Sequence, residues 1–294
     1  MQDTGFKFEV RDCVEGMREI ESDSIDLVVT SPPYNLGIQY STYQDRMNCD
    51  EYLEWSLAWA SEVKRVLKED GSFFLNLGAC PSDPLLPHEV IVRLKELFVL
   101  QNTIHWIKSI TVRTKEGADI SAGHFKPINS GRYVNDCHEY VFHLTPTGDT
   151  KIDRLAVGVP YSDKSNIARW AHTKGGDKRC RGNNWFIPYK TIRSRAGQRP
   201  HPATFPSELA VNCIRLHGQD KEIRMLDPFL GIGHSAVAAK ECGVKEFIGF
   251  DIDEQYVAVA RERLSETKRG EESTHESKAE QPHSGQKELK LGGA

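Results

Sequence analysis

Segments with the two-residue periodicity of strands alternate with segments of helical periodicity along most of this chain. This alternation restricts the fold more than any other feature of the sequence. Phe6–Val10 alternates as a strand, a short helical pattern follows, and Ile25–Thr30 is apolar enough to be buried on both faces. Strands and helices in such alternation are typical of a mostly parallel sheet with helices on both sides. We therefore predict an α/β fold.

The same patterns predict the remaining elements. Further strands are expected over 72–77, 103–107, 139–144, 222–226 and 247–250, and helices over 14–20, 49–67, 88–98, 206–217, 234–242 and 254–264. Asp50 is the candidate N-cap of the second helix, and Gly71 is expected to separate that helix from the strand behind it. The polar, glycine-containing stretch 111–137 is predicted to be a mobile loop, and 265–294, which lacks aromatic residues, a disordered tail.

The buried strand Ile25–Thr30 runs directly into the sequence Thr30-Ser31-Pro32-Pro33-Tyr34. Neither proline can donate a hydrogen bond to a neighbouring strand, so the strand must stop there. The residue before a proline is extended, which makes this stretch a stiff bend beyond the edge of the sheet. In open α/β sheets ligands bind at that edge. The bend would hold a hydroxyl, a backbone carbonyl and an aromatic ring in one place.

A second motif lies near the other end of the chain, in the stretch MLDPFLGIGHSAVAAKECGVKEFIGFDID. A strand ends in Asp227-Pro228-Phe229, a turn with Gly231 and Gly233 follows, and Asp251 ends the next strand. Glycines let a backbone approach a ligand closely, and a carboxylate at a neighbouring strand end can accept both hydroxyls of a ribose. The pattern predicts a nucleoside-binding site. On spacing alone it fits a dinucleotide as well as any other adenosine cofactor.

Charge is distributed unevenly along the chain. The formal net charge is -4, but the segment 151–200 holds twelve Lys and Arg against three Asp and carries +9, which leaves -13 for the remainder. A basic region on an acidic body is typical of a protein that binds a polyanion with one part of its surface. The candidate residues for binding a polyanion such as nucleic acid are Arg169, Lys174, Arg179, Arg181, Arg193 and Arg195. Trp170 and Trp185 lie between them, where an aromatic ring could stack against nucleic acid.

Composition excludes several classes of protein. Mean hydropathy is -0.51, and we find neither a membrane-spanning run nor a leader pattern at the first four residues, so a cytoplasmic location is expected. The seven cysteines show neither a C-x-x-C pair nor a metal-ligand spacing, so we expect reduced thiols and no metal site. The pairs His138-Glu139 and His88-Glu89 are interpreted as surface or strand-end residues.

Together, the bend and the glycine turn resemble the S-adenosylmethionine-dependent amino-methyltransferases of DNA. With the bend before the glycine turn, the order is similar to the β permutation of that family, over Phe6 to about Leu264. The resemblance implies a Rossmann-like seven-stranded methyltransferase sheet, circularly permuted, with a small inserted target-recognition region. It divides the chain into a catalytic half (1–145), a basic target-recognition region (146–200), a cofactor-binding half (201–264) and the tail (265–294).

The resemblance also implies roles for individual residues. Ser31, Pro32, Pro33 and Tyr34 would be catalytic, with the Ser31 hydroxyl and the Pro32 carbonyl accepting hydrogen bonds from a base amine and the Tyr34 ring stacking on a flipped base. S-adenosyl-L-methionine would be the cofactor. Its implied contacts are Asp12, Thr30, Pro202, Phe205, Pro206, Asp227, Pro228, Phe229, Gly231, Gly233, Ser235 and Asp251. His234 departs from the family pattern, in which that position often carries a hydroxyl.

Serine at the first position of the bend is similar to the cytosine-N4 branch of the family, which we favour over the adenine-N6 branch. The substrate would be double-stranded DNA, methylated by base flipping and direct transfer. RNA, a protein amide, and a non-catalytic DNA-binding module that keeps the fold stay open as alternatives. The chain would act at the nucleoid as a monomer or homodimer without a membrane partner. A cognate restriction endonuclease is one functional partner that the resemblance allows.

Overall fold

The structure, a computed structural model, describes residues 5–38, 42–80, 83–123, 130–188, 204–218 and 222–267. Strands and helices alternate within these ranges. The strands are β1 (Phe6–Val10), β2 (Ile25–Thr30), β3 (Leu67–Leu77), β4 (Val99–Ile107), β5 (Ile110–Arg113), β6 (Asp119–Ala122), β7 (His138–Thr145), β8 (Asn184–Phe186), β9 (Arg224–Asp227) and β10 (Glu246–Asp251). The helices are α1 (Cys13–Arg18), α2 (Cys49–Val66), α3 (Leu86–Leu94), α4 (Ser165–Arg169), α5 (Ser207–His217), α6 (His234–Glu241) and α7 (Glu254–Glu266).

One large sheet organises the molecule. Among the described residues it has eight strands in the order β1-β10-β9-β2-β3-β7-β4-β8. β7 is antiparallel to both of its neighbours, and every other pairing in the sheet is parallel. The carboxyl ends of seven strands and the amino end of β7 therefore lie along the same edge.

Two hydrophobic cores cover the two faces of this sheet. On one face the apolar sides of α5, α6 and α7 pack on strand residues such as Leu27, Phe74 and Phe247. On the other, α1, α2 and α3 pack on residues such as Val28 and Phe73. Consecutive β2 residues thus point to opposite cores, and all six are buried. This explains why the strand reads as a continuous apolar run.

The strands nearest the carboxyl end of the chain lie inside the sheet rather than at its edge. β9 and β10 are inserted between β1 and β2, which follow one another in the sequence. β2 pairs with β9 through Leu27 opposite Met225 and Val28 opposite Leu226. As a result, the chain segments that follow β2 and β9 leave the sheet side by side.

The predicted α/β class is confirmed, with an eighth strand in addition to the seven expected. β8 comes from the basic segment and pairs with β4, with Phe186 opposite Ile107. Gly71 does not precede β3: the strand begins at Leu67, pairs with Ile25 there, and resumes pairing with β2 at Ser72, so the glycine lies in a bulge. The N-cap of α2 is Asn48 rather than Asp50.

The prediction of a mobile loop over 111–137 is wrong for its first part. β5 and β6 form an antiparallel hairpin, with Val112 opposite Ile120. Gly117, at a φ of +82°, allows its tight turn. The short alternation in Ile110-Thr111-Val112-Arg113 is the signal that the glycine-rich composition obscured. α7 also runs two residues beyond the predicted end at Leu264, and the rest of the predicted tail, from 268, lies outside the described residues.

Candidate functional site

Polar side chains from several elements meet at the shared edge of the sheet. The order of the strands brings the Ser31 bend after β2 next to the glycine turn after β9, although these lie at opposite ends of the sequence. On one side of this pair are the ends of β10 and β1, and on the other the ends of β3 and β4 and the start of β7. Two halves of one site result.

The bend itself is held rigidly. The Ser31 Oγ and the Tyr34 hydroxyl lie 2.7 Å apart, so the two catalytic candidates are hydrogen-bonded to each other. The Tyr52 hydroxyl, from α2, donates to the Pro33 carbonyl at 2.7 Å. This bond orients the Pro33 carbonyl, which lies beyond the end of β2 at Thr30 and has no strand partner among the described residues.

The chain after the bend is fixed by one buried carboxylate. Asp45 accepts hydrogen bonds from the backbone N–H groups of Asn35 (2.8 Å), Leu36 (3.0 Å) and Ile38 (3.1 Å). The Asn35 side chain in turn bonds both backbone groups of Met47. Asn35 itself has a φ of +60°, a conformation that asparagine tolerates better than most residues. Residues 39–41 between these two segments lie outside the described residues.

Glu139, at the start of β7, lies against the Tyr34 hydroxyl. One carboxylate oxygen accepts from that hydroxyl at 3.1 Å and from the Asn76 side chain at 3.0 Å, and the other accepts from Lys108 at 2.9 Å. The three donors come from the bend, from β3 and from the residue after β4. Gly78 leaves the space for this arrangement, since an added Cβ would lie 2.9 Å from the Tyr34 ring and 3.2 Å from Glu139.

A second buried carboxylate joins the bend to the glycine turn. Asp227, at the end of β9, accepts a hydrogen bond from the Thr30 hydroxyl at 2.5 Å, from the Phe229 N–H at 3.0 Å and from the Ser235 hydroxyl. All three side chains in this group, those of Thr30, Asp227 and Ser235, are buried. Burial raises the pKa of Asp227 to about 6, against the lowering effect of its hydrogen bonds.

Three of the residues with implied cofactor roles have buried side chains. The resemblance implies that Thr30, Asp227 and Ser235 contact the cofactor, yet their side chains lie beneath the surface and bond to one another. They form the floor of the site and join its two halves. Pro228 and Phe229 begin the turn above them. The Phe229 ring packs against Trp55 and Trp59, with ring centroids 5.5 and 5.3 Å apart.

Both glycines of the turn have left-handed backbone conformations, which glycine adopts without steric cost. Gly231 and Gly233 have φ values of +51° and +78°. An added Cβ at Gly233 would lie 2.8 Å from the Ala260 Cβ, so this glycine also lets α6 and α7 pack closely. Asp251 accepts from the Gly231 N–H at 2.8 Å and from the Asp253 N–H at 2.9 Å. Burial raises its pKa.

Asp12 lies next to Asp251 along the same edge. Val10 pairs with Asp251, and Asp12 caps α1 by accepting from the N–H groups of Val14 (2.9 Å) and Glu15 (3.1 Å). Phe205 is buried near His234, with ring centroids 6.4 Å apart, and Pro206 is the N-cap of α5. Pro202 lies outside the described residues.

The basic candidates have different environments. Arg169, Lys174 and Arg179 are exposed, whereas the Arg181 side chain is half-buried and donates to the Val157 carbonyl at 2.9 Å. Trp170 is half exposed, but Trp185 belongs to the core and is not a stacking surface. Its interleaving with basic residues reflects the buried face of β8. Arg193 and Arg195 lie outside the described residues.

Sequence reasoning missed the residues that support the bend, chiefly Glu139, Lys108, Asn76, Tyr52 and Asp45. His138-Glu139 lies at the end of a strand, as interpreted, because β7 begins at His138. The interpretation did not include the contact of Glu139 with the bend. Within the described ranges, no three His, Cys, Asp or Glu residues are arranged to hold a metal ion, and all seven cysteines are free thiols. None of the helices in these ranges is long and apolar enough to cross a membrane.

Comparison with known proteins agrees with this architecture. Residues 25–262 match the family described as DNA methylase, of the N6 and N4 type. Type II methyltransferase M.HpaI of Haemophilus parainfluenzae is 27% identical over 263 residues, which is 90% of this chain and 75% of that protein.

Solved structures share the fold. The structure titled PvuII DNA methyltransferase (cytosine-N4-specific) has a TM-score of 0.64 at 22% identity and covers 88% of this chain and 86% of its own. A putative DNA modification methylase of Thermus thermophilus, TTHA0409, complexed with S-adenosyl-L-methionine, has a TM-score of 0.58 at 22% identity and covers 92% and 100%.

Proposed function

This chain belongs to the DNA methylase family of N6- and N4-type enzymes, and on that premise we propose that it transfers a methyl group from S-adenosyl-L-methionine to the N4 amine of cytosine in duplex DNA. The observation that carries the proposal is the hydrogen-bonded pair Ser31 and Tyr34 at the end of β2, beside the glycine turn of the adjacent strand. Serine at this position favours cytosine, as the resemblance implies.

The glycine-turn half of the site fits the adenosyl part of such a cofactor. Asp251 is partly exposed at the end of β10, and a carboxylate has about four acceptor positions. Its two backbone bonds, to Gly231 and Asp253, occupy two of them, which leaves two for the hydroxyls of a ribose. Asp12, Pro202, Phe205, Pro206, Pro228, Phe229 and Gly233 complete the proposed lining.

The cofactor, when bound, supplies an electrophilic methyl group on a sulfonium. The protein's part is to make a poor nucleophile attack it. Ser31 Oγ and the Pro32 carbonyl would accept hydrogen bonds from the exocyclic amine, which favours a pyramidal nitrogen with its lone pair available. The Tyr34 ring would stack on the flipped base and position it for in-line transfer. Pro33 keeps its carbonyl away from the amine, because that carbonyl accepts from Tyr52.

The proposal is tested by the identity of the product. DNA from a host without methylation that expresses this chain would be hydrolysed, and its nucleosides separated by mass spectrometry. We expect N4-methylcytosine, and none when Ser31→Ala replaces the parent. N6-methyladenine would move the enzyme to the adenine branch. If the parent binds S-adenosyl-L-methionine in calorimetry but methylates neither DNA, RNA nor protein, it is a non-catalytic binding module.

DNA would be held by the basic segment. β8 forms the edge of the sheet and pairs this segment with β4, next to Lys108 and the site. Arg169, Lys174 and Arg179 of the segment are exposed to solvent. Removal of a side chain that binds one phosphate should reduce the salt slope of binding by about 0.9. Removal of a side chain that reads a guanine edge should instead cost about 1–3 kcal/mol on the cognate site.

Alanine variants at Arg169, Lys174, Arg179, Arg193 and Arg195 should divide into those two groups when titrated with cognate and random duplexes over a salt series. Arg181→Ala should also lower the melting temperature, because the Val157 carbonyl loses its donor. The control is Lys7→Ala, exposed on β1 at the opposite edge of the sheet. If all variants bind like the parent, DNA contacts lie elsewhere, and the hairpin β5–β6 is the next candidate.

A further inference from the structure

The Glu139 carboxylate is largely buried beside the bend and surrounded by hydrogen-bond donors. Its side chain is only 15% exposed. Lys108, Asn76 and the Tyr34 hydroxyl all direct protons at it, from distances of 2.9, 3.0 and 3.1 Å. The last of these donors is one hydrogen bond away from Ser31.

We propose that Glu139 is a positioning residue that fixes the direction of the hydrogen bonds ending at Ser31. A carboxylate only accepts, so Tyr34 must give its single hydroxyl proton to Glu139. The Tyr34 oxygen then has to accept in the 2.7 Å contact, and the Ser31 hydroxyl has to donate. A Ser31 whose proton points at Tyr34 turns its lone pairs outward. This inference rests on the proposed function: with its lone pairs turned outward, Ser31 is ready to accept a hydrogen bond from the amine N–H before the substrate binds.

The surroundings leave Glu139 in control of this direction. Asn76 donates one amide hydrogen to Glu139 and the other to the Tyr140 carbonyl at 3.0 Å, so its amide cannot turn over without opposing two acceptors. Lys108 has only donors. The heavy-atom positions at the bend are fixed by the Tyr52 hydroxyl and by the close fit at Gly78. What remains adjustable is where the hydroxyl protons point.

The sharpest test is Glu139→Gln, which keeps shape and removes the acceptor-only character. With the new carbonyl oxygen held by the charged Lys108, the amide nitrogen replaces the oxygen that accepted from Tyr34 and Asn76. Asn76 then loses an acceptor, and an amide N–H faces Tyr34. Tyr34 would then accept from the amide and donate to Ser31, and the Ser31 proton would point at the substrate amine. We expect kcat to fall about 10- to 100-fold, with the KM for DNA and the affinity for S-adenosyl-L-methionine within about twofold of the parent.

A double-mutant cycle with Tyr34→Phe separates this role from simple support of the fold. If Glu139 acts through the Tyr34 hydroxyl, Glu139→Gln should cost less than about threefold in the Tyr34→Phe background. An equal loss in both backgrounds would overturn the proposal, and so would parent-like turnover in the single variant. Glu139→Asp, still acceptor-only, should retain more turnover than Glu139→Gln. Glu222→Gln, at an exposed and remote ion pair, is the control.

A second variant keeps the test valid if Glu139→Gln alone melts early. In Lys108→Met/Glu139→Gln the amide can turn over, so that its oxygen again accepts from Tyr34 and Asn76. Turnover should return to within about threefold of Lys108→Met alone, and a full loss there would contradict the chain of bonds. Nucleoside analysis of the same samples keeps the two proposals apart. If the product is N6-methyladenine and the Glu139 and Tyr34 variants still show coupled effects on turnover, only the proposed target base is wrong. If the product is N4-methylcytosine and the two effects are independent, only the proposed role of Glu139 is wrong.

Discussion

The buried carboxylate beneath the site gives the most quantitative prediction. In Asp227→Asn the retained Oδ1 can still accept from Thr30 and Phe229, and the new amide can donate to the Ser235 oxygen. The variant therefore keeps the contacts and loses the titration. Asp227 has a folded-state pKa of about 6 because burial disfavours its charge. An unfolded aspartate has a pKa of about 3.9, so the difference corresponds to about 3 kcal/mol.

The sign follows from proton binding. Between pH 4 and pH 6 the folded protein binds a proton at Asp227 that the unfolded chain has released. This stabilising contribution is complete below about pH 4 and is lost as the pH rises through about 6. The free energy of unfolding of the parent minus that of Asp227→Asn should therefore decrease by about 3 kcal/mol between pH 4 and pH 7. Contributions from all other groups cancel in this difference.

Urea unfolding of both proteins, followed by tryptophan fluorescence at intervals of half a pH unit, would measure this difference in the free energy of unfolding. Asp119→Asn, at an exposed ion pair on the hairpin, serves as the control and should run parallel to the parent. A difference that stays flat from pH 4 to pH 7 would refute the reasoning that burial dominates at Asp227. A difference of opposite slope would mean that the three hydrogen bonds outweigh burial.

The site and its surroundings support three more predictions. Asp251→Ala should weaken S-adenosyl-L-methionine binding about 10- to 100-fold in calorimetry, because the cofactor loses hydrogen bonds to a charged group. The same variant should have a lower melting temperature, because two backbone N–H groups lose their acceptor. Burial lowers the pKa of His143 to about 3, so the free energy of unfolding of the parent minus that of His143→Gln should decrease as the pH falls from 6.5 toward 3, as urea titrations of both proteins would show. Gly78→Ala should reduce turnover at least about tenfold by displacing Tyr34, while Gly131→Ala, with open space around it, should match the parent in the same assay.

The two motifs and their proximity could be predicted because each depends on short-range sequence. Two successive prolines remove the donors that a central strand needs, and Gly231 and Gly233 have the left-handed backbone that glycine allows. In a parallel sheet both then lie at the carboxyl edge, which brings Ser31 and the glycine turn together without knowledge of side chains.

The supporting contacts could not be predicted, because they join residues distant in sequence. Glu139 lies 105 residues from Tyr34, 63 from Asn76 and 31 from Lys108 in the chain. No local pattern distinguishes it from any other glutamate at the start of a strand. The burial of Thr30 and Ser235 was missed for a related reason: a hydroxyl next to a turn has the same sequence signal whether it faces a ligand or a buried carboxylate.

The insertion of β9 and β10 between β1 and β2 has a consequence for how the molecule is made. The Thr30 hydroxyl must find a partner 197 residues further along the chain. Until the segment with β9 and β10 has been synthesised, β1 and β2 lack their partners in the sheet, and unpaired strand edges promote aggregation. Contacts so distant in sequence make folding slow. Catalytic competence should therefore appear late and all at once, only after the last third of the polypeptide has emerged and closed the gap in the sheet.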